Sequence, residues 1–486
     1  MIQLNQSAAA LFAAMSDVVM PDIMLSTLCF DSRDVTQNSA FIALGSVTGN
    51  RNEYIATALE QGAVLVLFDP ADGPAPLDER CLAVVNLKQK TGEFLRDWFG
   101  SVMQQLAVIG ITGTNGKSSV SFYVAQILTT LQKPTAVMGT LGYGELSALK
   151  PTGMTTLPLE KLHGALAELA QHFAAVAMEV SSHGLHQNRL AGVDFKGAVY
   201  TNLSHDHLDY HGTLEAYAEA KALLFQRPEL AFAVVNGDDD CADQMLANCQ
   251  AKQVLCYGQG AHNALQFSVT GVAHNGMHLD LSYQGVRRSV TLPLFGEFNA
   301  YNAAAALGVA LCMGFDFDPA VQALSSLYSV AGRMEGVSVR AEQPLVLVDY
   351  AHTPDALEQV LNTSRAHCRG KLIVVVGCGG DRDRTKRPVM GEIAARYADV
   401  AIITSDNPRS ESPASIAEQM TAHLTPSQYQ IQLDREQAIR FAIEQAAAED
   451  LVLIAGKGHE DYQEINGQRS YFSDVAVAKA VLEVRP

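Results

Sequence analysis

One stretch limits what this chain can fold into more than any other. The apolar run Ala107-Val108-Ile109-Gly110-Ile111-Thr112 breaks into Gly113-Thr114-Asn115-Gly116-Lys117-Ser118-Ser119 and continues as Val120-Ser121-Phe122-Tyr123-Val124-Ala125-Gln126-Ile127-Leu128. That order predicts a buried strand, a phosphate loop and a helix N-terminus. Backbone amides of such a loop converge on phosphate oxygens, Lys117 brings a point charge to the β- and γ-phosphates, and the Ser118 hydroxyl can ligate Mg²⁺. Residues Gly113, Thr114, Asn115, Gly116, Lys117, Ser118 and Ser119 are therefore assigned to a nucleoside triphosphate. The loop is a variant, because Ile111 stands where the usual spacing wants glycine, with Gly110 and Gly113 on either side.

A chain of 486 residues is too long for one core, and three domains are expected. A hydrophobic content of 48% with 18% charged residues is that of a globular protein. The first basic residue is Arg33, so the apolar stretch from Ala8 to Met15 lacks the positive flank of a signal peptide. The longest apolar candidate, Ala303 to Phe315, falls short of the roughly 18 residues that span a bilayer. A cytoplasmic protein without membrane insertion is expected. Eight cysteines with no Cys-x-x-Cys pair argue for reduced thiols and against structural zinc. A net charge of -18 disfavours nucleic acid as a partner, so an anionic substrate must be met by local clusters. The run Asp381-Arg382-Asp383-Arg384-Thr385-Lys386-Arg387 is one such cluster, although a solvated charged loop looks the same in sequence.

The fold class expected is α/β in three domains. Short strand-like runs at 41–44, 63–68 and 81–85, around the Pro- and Asp-rich loop 69–76, suggest a small domain over residues 1–100. From the phosphate loop to about 331, buried runs at 135–138, 174–180, 197–200 and 231–236 alternate with helical stretches. They describe a central, mainly parallel ATPase sheet over 101–331. Runs at 345–348, 371–376, 400–404 and 451–455 describe a Rossmann-like domain over 332–486.

Three constellations carry chemistry. The run ending at Glu179 puts a carboxylate at the C-terminal end of a parallel strand, where a Mg²⁺ ligand is needed beside a phosphate loop. The segment Tyr200-Thr201-Asn202-Leu203-Ser204-His205-Asp206-His207-Leu208-Asp209-Tyr210-His211 follows another strand. Its three histidines lack the partners of a zinc site, which leaves one as an unusual Mg²⁺ ligand and the others structural. Asn299 and Asn302 share one face of a helix start, where they either read an adenine edge or cap the helix.

Taken in order, Thr112-Gly113-Thr114-Asn115-Gly116-Lys117-Ser118, Met178-Glu179-Val180-Ser181-Ser182-His183-Gly184, Thr201-Asn202-Leu203 with Asp206-His207-Leu208-Asp209, the Asn299/Asn302 pair, Asp349-Tyr350-Ala351-His352-Thr353-Pro354 and Gly456-Lys457-Gly458-His459-Glu460 resemble the Mur ligases, ATP-dependent amide-forming enzymes of peptidoglycan precursor synthesis. The resemblance covers essentially the whole chain. It implies a uridine-nucleotide domain, a central ATPase domain and an amino-acid domain, ATP as substrate, Mg²⁺ as cofactor, and a monomer. It adds Asn299, Asn302, Asp349 and His352 to the ATP site, and implies that Ser118, Glu179 and His207 hold Mg²⁺. Phe30 and Ser32 match positions facing the uridine, and Thr155, Thr156, Ser181, Gln187 and Arg189 match those that grip the muramyl peptide. Spacing alone makes Lys221 a surface helix lysine, whereas the resemblance makes it a carbamylated residue beside the metal. An ammonium about 5 Å from Mg²⁺ would be repelled by several kcal/mol at an effective dielectric near 20, and a carbamate reverses the sign.

Within the family, Asp406-Asn407-Pro408-Arg409 resembles the motif of enzymes that add diaminopimelate to UDP-MurNAc-L-Ala-D-Glu, with Arg382, Gly456 and Glu460 completing the pocket. Diaminopimelate differs from lysine by a distal carboxylate, which an arginine fork binds in bidentate fashion. Two positions depart from the pattern: Gly49-Asn50 after Val47-Thr48, and Met154 before the threonine pair. A folylpolyglutamate-type ligase would share the phosphate loop without needing Asp406 and Arg409, and a nucleotide-switched binding protein would leave the charged pocket unused.

Overall fold

The computed structural model describes residues 1–13, 19–45, 50–73, 77–337, 340 and 342–485, the side chains of 101 and 102 excepted. The expectations for Val47, Thr48 and Gly49, for 74–76 and for the end of the 8–15 stretch lie outside the described residues. The chain forms two compact units, one comprising Met1–Thr114, Lys133–Ala233 and Asp243–Gln253, the other Asn115–Gln132, Val234–Ala242 and Val254–Pro486.

The first unit begins with a five-stranded sheet in chain order: Ile2–Ser7, Met24–Cys29, Ser39–Ala43, Ala63–Phe68 and Cys81–Ala83. Only its first pair is antiparallel. The same unit holds the parallel strands Phe195–Tyr200, Ala107–Thr112, Ala175–Glu179 and Thr135–Gly139, adjacent in that order. Two short antiparallel strands, Gly142–Glu145 and Ala148–Lys150, extend its edge. The four parallel strands are buried nearly throughout, which explains their continuous apolar sequence. Because they run the same way, the loops after Thr112, Glu179 and Tyr200 leave one edge, where open α/β sheets take their ligands.

In the second unit the helix Lys117–Thr130 packs on the helix Glu297–Cys312. Gln126 pins this helix by donating to the Tyr328 carbonyl at 3.0 Å and accepting from its amide at 2.9 Å. The unit also contains an antiparallel meander, Leu265–Ala273, Gly276–Tyr283 and Val286–Leu292, which the expectation of alternating strands and helices does not foresee. Its signal is a period of two: Met277, Leu279 and Leu281 are buried while His278 and Asp280 face out.

The remaining sheet runs Glu335–Gly336, Leu345–Asp349, Leu451–Ala455, Leu372–Val376, Val400–Ile403 and Gln430–Ile431. All neighbours after the first pair are parallel. Helices carrying Leu357, Leu361, Met390, Ile416 and Met420 cover one face, and those carrying Ile439, Ile443, Val481 and Leu482 cover the other. This is the Rossmann-like arrangement expected. The loops after Asp349, Val376, Ile403 and Ala455 therefore converge on one edge. All eight cysteines are free thiols, and among the described residues no helix is long and apolar enough to cross a membrane.

Candidate active site

The phosphate loop starts in the first unit. Gly113, at φ +149°, leaves no room for a side chain, since a Cβ there would lie 1.8 Å from Thr201 Oγ1. Beyond it, Thr114 donates its amide to Asn202 O at 2.8 Å, and its hydroxyl accepts from Ser204 N at 3.0 Å. The 201–204 segment is thereby stitched to the loop. In the second unit, Gly116 (φ +84°) is the N-cap of the helix at Lys117 and, as a glycine, offers it no side-chain cap. A Cβ on Gly116 would sit 2.5 Å from Asn302 Oδ1. Lys117, Ser118 and Ser119 are half-buried and Asn115 is exposed.

Asn299 is buried and its amide is engaged inside the fold. Its Oδ1 accepts from Tyr123 Oη and Asn302 Nδ2, each at 3.1 Å, and its Nδ2 donates to Phe295 O at 2.9 Å. Of the asparagine pair, Asn302 is the one that meets the loop.

In the first unit Glu179 is 2% exposed and accepts from the amide and hydroxyl of Thr140 at 3.1 and 3.2 Å. From Thr140 a polar chain continues to Thr155 at 3.0 Å. The Thr156 hydroxyl donates to Glu179 O at 3.2 Å and accepts from Ser181 N at 3.0 Å. Arg189 donates to Thr156 O at 3.1 Å and to Gln187 Oε1 at 2.9 Å. Thr155, Thr156, Ser181, Gln187 and Arg189, widely spaced in sequence, thus form one connected group around the Glu179 strand end.

Beside them His183 stacks on Tyr210 with ring centres 4.1 Å apart and meets His207 edge-on at 4.9 Å. Burial pushes His183 and His211 below the usual imidazole range. His207 itself is exposed and left-handed, at φ +53°, which costs a residue with a side chain about 1 kcal/mol or more. Lys221 corrects the reading from spacing. It is 1% exposed, with its ammonium 4.1 Å from the Tyr217 ring centre. In the first unit Glu179 offers a carboxylate and His207 an imidazole, and a carboxylate is the kind of protein donor that Mg²⁺ takes along with substrate phosphates and water. Among the described residues no group of three or more His, Cys, Asp or Glu side chains is arranged so that it could hold a metal ion.

The second unit brings other expected residues together at its sheet edge. Asp406, Asn407 and Pro408 are buried directly after Val400–Ile403. Arg409 is held at φ +51° by its amide's bond to Glu464 O (3.0 Å), and its Nη1 donates to Gly380 O at 2.8 Å. Its Nε and Nη2 make no hydrogen bond among the described residues. A Cβ on Gly379 would lie 3.0 Å from Arg409 Nη1 and 3.7 Å from Arg382 Cγ, so both arginines rise over one glycine. Asp406 Oδ2 lies 2.8 Å from the Cβ position of Gly456. Asn407 Nδ2 donates to Glu460 Oε2 at 2.8 Å. Six of the seven residues expected to form the pocket, Pro408 aside, thus meet through side chains or close backbone approach.

Other expected residues stand differently. Asp349 is buried, and burial raises its carboxyl above the usual range while the amides of Met334 and Ala351 each donate to it at 2.8 Å. His352 is exposed. Phe30 and Ser32 follow the strand Met24–Cys29 and do not line the nearby cavity of about 160 Å³, formed by Gly45, Asp69, Asn86, Lys88 and Asn188 among others.

Comparison with known proteins matches residues 111–310 to the Mur ligase middle domain and 332–458 to the Mur ligase glutamate ligase domain. The UDP-N-acetylmuramoyl-L-alanyl-D-glutamate–2,6-diaminopimelate ligase of Coxiella burnetii is 41% identical over 483 residues, covering 97% of this chain and 98% of that protein. That of Xanthomonas oryzae pv. oryzae is 43% identical over 494 residues, covering 98% and 99%. The chain belongs to the Mur ligase family. It is an ATP-dependent ligase of the α/β, three-domain Mur type. A solved structure bearing the same ligase name superposes with a TM-score of 0.80 at 39% identity over 99% of both chains. A MurF from Acinetobacter baumannii, 19% identical with a TM-score of 0.56, shares the fold.

Several residues of this Mur ligase escaped the sequence reading. Lys457 is fully buried beneath Asn407 and Glu460. Arg435 forms a buried bidentate pair with Asp474 at 2.7 Å and donates to the carbonyls of Ser405 and Ala455, tying two pocket loops together. Arg387 is fully buried on Glu411, Gln419 and Gly379 O, and holds the charged run 381–387. The Arg387–Glu411 and Arg435–Asp474 pairs join residues 24 and 39 positions apart, which no local pattern announces. The hairpin Tyr462–Ile465/Gln468–Tyr471 did carry a signal, since Asn466-Gly467 at φ +49° and +75° is the favoured two-residue turn.

Proposed function

We propose that this Mur ligase joins meso-diaminopimelate to UDP-MurNAc-L-Ala-D-Glu at the expense of ATP. The observation that carries the reading is the pocket where Arg409 and Arg382 rise over Gly379 while Asp406, Asn407 and Glu460 line the same edge. Such a pocket offers carboxylates to an ammonium and a guanidinium fork to a distal carboxylate, the group that distinguishes diaminopimelate from lysine. The names of the full-length relatives support the same substrates. Residues 1–100 would hold the uridine nucleotide, with Phe30 and Ser32 toward the base, 101–331 the ATP, and 332–486 the amino acid.

A carboxylate is a poor acyl donor because its leaving group would be oxide. The γ-phosphoryl group therefore passes to the D-Glu side-chain carboxylate, ADP departs, and an acyl phosphate forms. The diaminopimelate amine attacks its carbonyl carbon, loses a proton, and phosphate leaves from the tetrahedral intermediate. Lys117 and the loop amides would offset charge on the transferring group, with Asn302 setting the loop and Asp349 and His352 completing the nucleotide site. The group Thr155, Thr156, Ser181, Gln187 and Arg189 would fix the acyl carboxylate in line. Mg²⁺, held by Ser118, Glu179, His207 and carbamylated Lys221, would supply further charge neutralisation when bound.

The test is phosphate release with each substrate omitted in turn. Release that requires all three supports the reading, and release with ATP alone contradicts it.

A further inference from the structure

Lys457 is a cation with no solvent exposure, placed between two glycines at the end of the strand Leu451–Ala455. Its three ammonium protons meet three acceptors: Tyr462 O at 2.6 Å, Asn407 Oδ1 at 3.2 Å and Glu460 Oε2 at 3.2 Å. Asn407 Oδ1 also accepts from Glu464 N at 2.9 Å, so its oxygen is fixed toward Lys457 and its NH₂ is fixed toward Glu460. Glu460 Oε2 thus receives two donors, while Oε1 makes no hydrogen bond among the described residues. A buried ammonium is stable only while such partners persist, so the arrangement is cooperative: losing the cation frees the carboxylate and the amide together.

We propose that Lys457 is the positioning residue of the amino-acid pocket, holding Glu460 and Asn407 in the one orientation in which Glu460 Oε1 faces the ammonium of the incoming amino acid. This rests on the pocket assignment above. Without Lys457 two neighbouring carboxylates, Asp406 and Glu460, would keep Arg435 as their buried cation among the described residues, and Glu460 would relax toward water. Binding of the amino acid would then suffer while phosphoryl transfer would not.

The experiment is steady-state kinetics of K457M, E460Q and the double variant, each with all three substrates varied. K457M is expected to raise KM for diaminopimelate about 30-fold or more, with KM for ATP and for the uridine nucleotide within about threefold of wild type, because a preset charge contact is lost at one site only. The double variant is expected to be no worse than E460Q, since Lys457 acts through Glu460. Unchanged KM for the amino acid, equal losses for all three substrates, or fully additive effects would overturn the proposal. Should K457M prove insoluble, K457Q takes its place, and insolubility of both assigns Lys457 to folding and also overturns it. The wild-type arm separates the two levels. If the wild type prefers another amino acid, the pocket reading fails, and the Lys457–Glu460 coupling is decided on that amino acid instead.

Discussion

The proposed amino-acid pocket and the loop proposed to meet the phosphates differ in how far their polar groups are covered. In the pocket, Asp406, Asn407 and Lys457 are 9%, 1% and 0% exposed, and neighbours fix Asn407, Lys457 and one nitrogen of Arg409, while Arg382 is exposed. On the phosphate side Asn115 and His207 are exposed and Lys117 is only half-buried. A group that must discriminate between two amino acids is held rigid before binding, since a loose fork would accept either at small cost. A group that meets a triphosphate needs less preparation, because the ligand's own charge organises it.

The sharpest way to break this contrast is Lys117→Ala. It should lower kcat by about 10³-fold while leaving the thermal midpoint and diaminopimelate binding intact, because it removes a charge used in transfer and no core contact. Near-normal turnover of the soluble variant would remove the ATP assignment. Lys221→Ala should follow, with a loss of about 10²-fold if a carbamate acts there. Bicarbonate should not restore activity, and a short carboxylic acid filling the gap should restore part of it. Mass spectrometry of native wild type showing no added carbamate at Lys221 would contradict the modification.

Arg409→Ala tests the rigid side and should cost about 10²-fold in kcat/KM for diaminopimelate while changing lysine little. Equal losses for both amino acids would mean that Arg409 does not read the distal carboxylate. The smallest effect expected is at Glu411, whose carboxyl the Arg387 guanidinium holds down at about 2. A lowered carboxylate stabilises the fold above its unfolded value near 4.3, and that contribution fades as pH falls toward 2. Urea midpoints of wild type and Glu411→Gln should therefore differ at pH 7 and converge toward pH 2. A constant difference across that range would show that the pair does not set the stability of the 379–411 loops.

The same contrast explains what could be read in the sequence. The phosphate loop, the strand ends at Glu179 and Asp406 and the parallel strands were legible, because each is written in consecutive residues with a fixed period. Spacing alone puts Lys221 on the surface, because an Ala-rich helix gives no sign of which face is covered, and only the family resemblance pointed inward. The asparagine pair left reading an adenine edge or capping open, and in the fold neither caps the helix Glu297–Cys312, Asn299 being engaged by Tyr123 and Phe295 instead. Lys457 and the Arg435–Asp474 pair are held by partners far along the chain or across a loop, so their burial emerges only in the fold.

The guanidinium fork of Arg409 is proposed to select the amino acid. Its most direct test is the wild-type ratio of kcat/KM for diaminopimelate over lysine, measured by phosphate release with ATP and UDP-MurNAc-L-Ala-D-Glu saturating. A site built for a charged group leaves its own charge unpaired when that group is missing, so the ratio should reach about 10⁴. A ratio near one would contradict the account.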